Sequence, residues 1–225
     1  LGVGVLDLGR GITGLAIYRD FRILGTHCFE WGGYHITRDV AAGLQVSFEE
    51  ADELILEYGI SEACIHEEFD ESSEMSRSES DDMSSRVKLR SNVPGSPSVV
   101  DRADLDGIVY ERAKELLVKV RQHILARGLT KNLVRGIVLT GGAASIKKYT
   151  DLAEAVFQVP CRIGMPTGVE VLPNGVESPE FSASIGIARH AFEFRSAARH
   201  GRIEPRGSMV SVSRRAARFL KRYFL

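Results

Sequence analysis

Residues 136–145, GIVLTGGAAS, constrain this chain more than any other stretch. The apolar run Ile137-Val138-Leu139, closed by Thr140, predicts a buried strand. Gly141, Gly142, Ala143 and Ala144 then leave a turn with almost no side-chain volume, and a helix is expected from about residue 145. Such a turn lets a second backbone or a flat ligand reach the main chain. The same residues also fit a plain strand-to-helix connection of an α/β fold. A second glycine-rich strand end, at the other edge of the chain, gives the first reading its weight.

That second end lies between two short apolar strands, 2–8 (GVGVLDL) and 14–18 (GLAIY). Gly9-Arg10-Gly11-Ile12-Thr13 joins them as a β-hairpin tip, and alternation in 21–29 adds a third strand. Two readings are open. In one the tip faces phosphate, its backbone N–H groups donating to phosphate oxygens while Asp7 holds Mg²⁺ or its waters. In the other this is an ordinary hairpin whose glycines satisfy positive φ.

The rest of the chain reads as scaffold. Gly32-Gly33 leads into a helix over 35–44, with Thr37 near its start and Gly43 at its end. A second helix, 47–58, opens with Ser47 and Glu50 as a capping box and ends at Gly59. Residues 66–98 read as a solvated acidic, serine-rich loop, in which 85–91 and 98–100 fit edge strands. A long amphipathic helix over 101–127 carries Leu105, Ile108, Val109, Ala113, Leu116, Leu117, Val120, Ile124 and Leu125 at three- and four-residue steps. Its other face, with Arg112, Lys119 and Arg121, is either solvated or open to a partner. A helix over 148–157, a strand over 161–164, a loop over 165–178 and a small-residue helix over 180–193 follow, the last suited to tight packing on a sheet or nucleotide-binding turn.

With 225 residues and 44% hydrophobic content the chain can bury a core, most simply as two subdomains. It opens on Leu1 with a strand already under way, which reads as a fragment or a processed chain. The net charge of −1 conceals an uneven distribution: residues 66–82 carry eight acids against Arg77, and 195–225 carry nine Lys and Arg against Glu204. That is the pattern of a soluble body with a basic tail, not of a general nucleic-acid binder. Cys28, Cys64 and Cys161 lack any CxxC spacing and suit a reducing compartment, and the histidines show no metal-binding pattern. No apolar run reaches membrane-spanning length.

Residues 195–211 read as a linker, and 212–225 as a terminal helix. On it Val212, Ala216, Phe219, Leu220, Tyr223 and Phe224 share one stripe, opposite Arg214, Arg215, Arg218, Lys221 and Arg222. Segregated aromatic and cationic faces suit a helix lying in an anionic headgroup layer, where each basic residue contributes about 1 kcal/mol. The alternative is a helix that docks back on the body.

Four segments together resemble the bacterial cell-division FtsA family, in its C-terminal half. GVGVLDLGRGITGLAIY (2–18) is similar to the family's second phosphate motif. GGYHITRDVAAGL (32–44) with ADELILEYG (51–59), GIVLTGGAASIKKYTDLAEAVFQVPCRIGMP (136–166), and the terminal amphipathic helix complete the set. The resemblance implies an actin-like (ribonuclease H-like) α/β lobe: a nucleotide-cleft subdomain from 1–40 and 136–194, and a smaller α+β subdomain inserted at 41–135. It implies Asp7 toward a metal, Gly9, Gly11 and Thr13 toward phosphates, and Gly33, Gly141, Gly142 and Ala143 along the nucleotide. Asp52 stands at the family's ribose- and adenine-contacting glutamate. Implied with these are ATP and Mg²⁺, the C-terminal tail of the tubulin-like FtsZ, self-association in actin-like filaments, and an anionic membrane bound through Val212, Arg215, Arg218, Phe219, Leu220, Arg222, Tyr223 and Phe224. The place implied is the cytoplasmic face of the cell membrane at the division septum.

The chain departs from the family pattern at four points, one of them Ile12, an aliphatic in place of the motif's first threonine. The motif D-x-G-G-G-T-x-D reads Asp7-Leu8-Gly9-Arg10-Gly11-Ile12-Thr13-Gly14, so Arg10 replaces a glycine and the closing acid is lost. Arg10 either pairs with a phosphate or fills the pocket. Ile55 replaces the lysine of the family's E-x-x-K pair. The competing functional classes are an actin-fold kinase or ATPase, against which the losses at Gly14 and Ile55 weigh, and a pilus-assembly adaptor of the same fold, which lacks the cationic terminal helix.

Overall fold

The computed structural model describes residues 2–69, 86–89, 99–167 and 176–199. The chain divides into two units, Leu1–Ala183 and Ser184–Leu225. The first is built on a five-stranded sheet. Its strands are β1 (Gly2–Leu8), β2 (Thr13–Arg19), β3 (Arg22–Phe29), β6 (Ile137–Thr140) and β7 (Cys161–Ile163), in the order β3-β2-β1-β6-β7. The strands β1, β2 and β3 form an antiparallel meander, as their alternation predicts, and β6 lies parallel to both β1 and β7. The parallel β1–β6 register sets Leu6 opposite Leu139 and Asp7 opposite Thr140.

Leu6, Leu8, Leu15 and Ile17 point to one face of this sheet and are buried in the core, with Ile137 and Leu139. The same core takes in side chains of α1 (Gly33–Leu44), α4 (Arg102–Ala126) and α5 (Tyr149–Phe157). The helix α2 (Phe48–Tyr58) begins where its cap requires, the Ser47 hydroxyl accepting from the Glu50 N–H, and it ends at Gly59 with φ 72°. A further helix, α3 (Glu62–Phe69), starts ahead of the acidic run and is not marked in the sequence by any apolar period. The expected edge strands exist as a two-stranded antiparallel sheet, β4 (Arg86–Lys88) with β5 (Val99–Asp101), and the Asp101 carboxylate caps α4 by accepting from Ala103.

In α4 the apolar stripe is buried from Leu105 to Ile124 except for the partly buried Ile108, and Leu125 falls outside it at 53% exposed. The opposite face is less open than its charges suggest. Arg112 pairs with Asp39 of α1 and with Glu115, while Lys119 lies 3.5 Å from the ring centroid of Trp31 and 2.9 Å from Glu115.

No helix begins at residue 145. Gly142–Ser145 forms a 3-10 turn, and Ile146 is then extended with its side chain buried. Lys148 takes a left-handed conformation before α5 starts at Tyr149. The helix expected over 148–157 is thus α5, separated from the glycine turn by the extended, buried Ile146. The last helix, α6 (Ser182–Arg199), begins in the first unit. Within the second unit, taken by itself, Ile187 and Phe192 are exposed. The acidic run from residue 70, most of the 165–178 loop, and the linker and terminal helix at 200–225 lie outside the described residues.

Leu117 is fully buried and Leu125 half-exposed on the same helix. Leu117→Ala should therefore cost about 2–5 kcal/mol in chemical denaturation, while Leu125→Ala should stay within about 0.5 kcal/mol.

Candidate functional site

Three glycine-bearing segments meet at the C-terminal ends of β1 and β6. Gly141 follows Thr140 with φ 86°, a conformation that favours glycine, and a Cβ there would come within 2.4 Å of the Asp7 carboxylate and 2.6 Å of the Leu8 carbonyl. Gly32 is equally confined. A Cβ on it would lie 2.5 Å from the Gly9 carbonyl and 2.6 Å from that of Arg10. The hairpin tip thus rests on the start of α1, where the Gly33 N–H donates to the Gly9 carbonyl (2.9 Å) and the Tyr34 N–H to the Arg10 carbonyl (2.7 Å). The His35 N–H donates to the Gly32 carbonyl, so the first donors of the helix are engaged inside the protein.

These segments enclose a cavity of about 740 Å³, ample for a small organic ligand. Its lining includes Asp7, Gly9 and Arg10 from the hairpin, Gly33, Tyr34 and Thr37 from α1, and Asp52, Ile55 and Leu56 from α2. Gly141, Gly142, Ala143, Ser145 and Ile146 form the β6 side, and Ser178, Glu180 and Ala183 close the edge. Of the residues singled out in the sequence, Asp7, Gly9, Gly33, Asp52, Gly141, Gly142 and Ala143 are brought together here.

Gly11 and Thr13 are not. Thr13 is the first residue of β2, completely buried, with its hydroxyl unpartnered among the described residues, because strand alternation turns it into the sheet. Gly11 is exposed at the tip with open space around its Cα. Neither Gly9 nor Gly11 has positive φ. Gly9 is constrained by space instead, since a Cβ would sit 2.8 Å from the Ile12 carbonyl. The left-handed residues of the meander are Asp20 and Phe21, in the β2–β3 turn. Residues 212–225, expected from the sequence to meet a membrane, lie outside the described residues.

Two carboxylates stand on the hairpin and α2 sides of the pocket. The Asp7 carboxyl is half-buried, and burial raises its pKa above the ordinary carboxylate value. No described side chain pairs with it. The Asp52 carboxylate is held on one oxygen by the buried Thr37 hydroxyl and on the other by Arg10 Nη1 at 3.3 Å. Thr37 is a residue that sequence reasoning took for scaffold. It donates from the helix interior, where a hydroxyl facing the Gly33 carbonyl 3.2 Å away gave no pattern to read. Glu180 and Ser178 were missed because they follow a proline- and glycine-rich stretch with no period.

Thr140 fixes the far edge. Its buried hydroxyl lies 3.0 Å from the Pro179 carbonyl, 3.2 Å from that of Gly164 and 2.7 Å from Ser182 Oγ, while the Gly141 N–H donates to Pro179. One strand end therefore positions both the glycine turn and the Ser178–Ala183 wall. Among the described residues no cluster of three metal-ligating side chains occurs.

Comparison with known proteins places this geometry in context. The family described as "Cell division protein FtsA" matches residues 4–186. The chain is 30% identical over 187 residues to the cell division protein FtsA of Agrobacterium fabrum, covering 83% of this chain and 40% of the relative. It is 29% identical to that of Bacillus subtilis, covering 85% and 39%, and 27% identical to that of Borreliella burgdorferi, covering 100% and 50%. The chain thus spans half or less of the length of these curated relatives. In structure it is similar to MreB 5 of Spiroplasma citri bound to AMPPNP, with a TM-score of 0.61, 16% identity, and 89% of this chain and 55% of that one covered. It is also similar to the PilM–PilN type IV pilus biogenesis complex, with a TM-score of 0.56, 15% identity, and coverage of 84% and 45%. At such identities the structures report the fold alone, an actin-like α/β architecture. The match over most of its length shows that this chain belongs to the FtsA family of cell-division proteins.

Proposed function

We propose that this chain is the nucleotide-binding, C-terminal part of a membrane adaptor that tethers FtsZ filaments at the division septum. The observation that carries the nucleotide half is the meeting of Asp7, Gly9, Gly33 and Gly141 around one cavity, in a chain of the FtsA family. The solved MreB 5 of the same fold carries AMPPNP, and ATP is the ligand proposed here. Mg²⁺ fits the donor set. Asp7 is a partly buried carboxylate without a described partner, and Mg²⁺ is commonly held by one carboxylate together with phosphate oxygens and water. The ion would neutralise phosphate charge, and Asp7 would orient it or its waters. No residue of the pocket is assigned a catalytic role.

The adaptor half rests on family membership and on the sequence of 212–225, where the cationic and aromatic residues segregate to opposite faces. In this reading the smaller subdomain, 41–135, receives the FtsZ tail at the cytoplasmic face of the membrane. Self-assembly into filaments converts weak individual anchors into firm attachment, because each added helix binds at high effective concentration. Family membership favours this over the pilus-assembly adaptor of the same fold.

Two outcomes are expected. Removing 212–225 should leave a folded body that no longer pellets with anionic liposomes; pelleting that persists undiminished refutes the anchor. The second concerns Asp7, whose charge opposes folding because burial raises its pKa. The penalty is present above that raised pKa and is relieved as pH falls through it, the native state then binding the proton more tightly than the unfolded chain. Asp7→Asn should therefore be the more stable protein in urea at neutral pH, with the advantage shrinking on acidification. Saturating ATP and Mg²⁺ should stabilise the parent more than the variant.

A further inference from the structure

The pocket is unevenly charged for a ligand that carries phosphates. Asp7, Asp52 and Glu180 line it against Arg10, the one basic side chain among the described lining residues. The usual backbone source of positive potential is also engaged. The N–H groups of Gly33, Tyr34 and His35 at the start of α1 donate to the Gly9, Arg10 and Gly32 carbonyls, and are not free for an anion. At the start of α1 no such donor is left for an anion, and a cationic contact with phosphate there falls to a side chain or a metal ion.

Arg10 is placed to supply it. It projects from the hairpin tip, its guanidinium 5.8 Å from the Tyr34 ring centroid and one nitrogen 3.3 Å from Asp52. The two partners of this pair are held unequally. Asp52 is fixed through its second oxygen by the Thr37 hydroxyl, whereas the Arg10 side chain is 68% exposed and touches Asp52 through one nitrogen. An exposed, single-contact ion pair is weak, and a guanidinium bonds phosphate in a bidentate, charge-assisted manner. The arginine is thus the member free to change partner.

We propose that Arg10 is the residue that makes this pocket select phosphate-bearing ligands over their uncharged counterparts, and that Asp52 holds it in waiting. Binding exchanges the Arg10–Asp52 pair for an Arg10–phosphate pair. The proposal rests on the nucleotide reading above and names the source of its phosphate selectivity.

The test is calorimetric titration of the full chain and of Arg10→Ala, Arg10→Lys and Asp52→Asn with ATP plus Mg²⁺ and, separately, with adenosine. The quantity read is the preference for ATP over adenosine, which cancels any effect of Asp52 on the ribose. Arg10→Ala should lower that preference by about tenfold or more, Arg10→Lys should retain part of it, and Asp52→Asn should raise it several-fold. If the parent prefers ATP and Arg10→Ala keeps that preference, the role of Arg10 is overturned while the nucleotide reading stands. An unchanged or lowered preference in Asp52→Asn overturns the exchange. If neither ligand binds the parent or any variant, the nucleotide reading fails and this inference with it.

Discussion

Everything at the candidate site depends on one parallel strand pairing. With Asp7 opposite Thr140, β1 and β6 end side by side, and segments more than a hundred residues apart come to share a floor. The pairing leaves no room for a side chain at position 141, where a Cβ would strike both the Asp7 carboxylate and the Leu8 carbonyl. The same contact explains why Asp7 is costly to keep. Its carboxylate is pressed between a strand end and a glycine turn, out of full solvation and without a described partner. A fold optimised only for stability would not keep a charge there, and a carboxylate so placed is suited to meet a ligand.

The second constraint is the contact between the hairpin tip and the start of α1. It fixes the tip through main-chain hydrogen bonds, which makes the position of Gly9 independent of side chains. It also turns the helix terminus inward, which leaves the Arg10 side chain as the cationic group of the tip. Thr37 and Asp52 stand behind that side chain, linking α1 to α2 across the pocket. The wall formed by Ser178, Glu180 and Ala183 is tied to the same strand end through Thr140 and Gly141.

Much of this was legible before any coordinates. The meander, the buried strand at 137–140 and the buried stripe of α4 follow from alternation, from an apolar run and from three- and four-residue spacing, signals carried by several residues at once. Single-residue events were not legible. The helix over 148–157 was legible nearly to its bounds, but nothing local announces that Ile146 ahead of it is extended and buried in the core. Thr13 was expected at phosphate from the family resemblance, and as the first residue of β2 it takes the buried parity of that strand. Arg112 and Lys119 looked free on a cationic face, but their partners Asp39 and Trp31 come from elsewhere in the chain, and such pairings are set by tertiary structure alone. The helix α3 carries too weak an apolar period to be seen in an acidic surround.

The central claim is that two distant glycine-tipped strand ends form one ligand site. Amide hydrogen exchange with and without ATP and Mg²⁺ tests it most directly. Slowed exchange in both the 8–12 and 141–146 segments, together with the first turn of α1, is the result expected. Protection confined to one of these strand ends, or found only elsewhere in the chain, would contradict it.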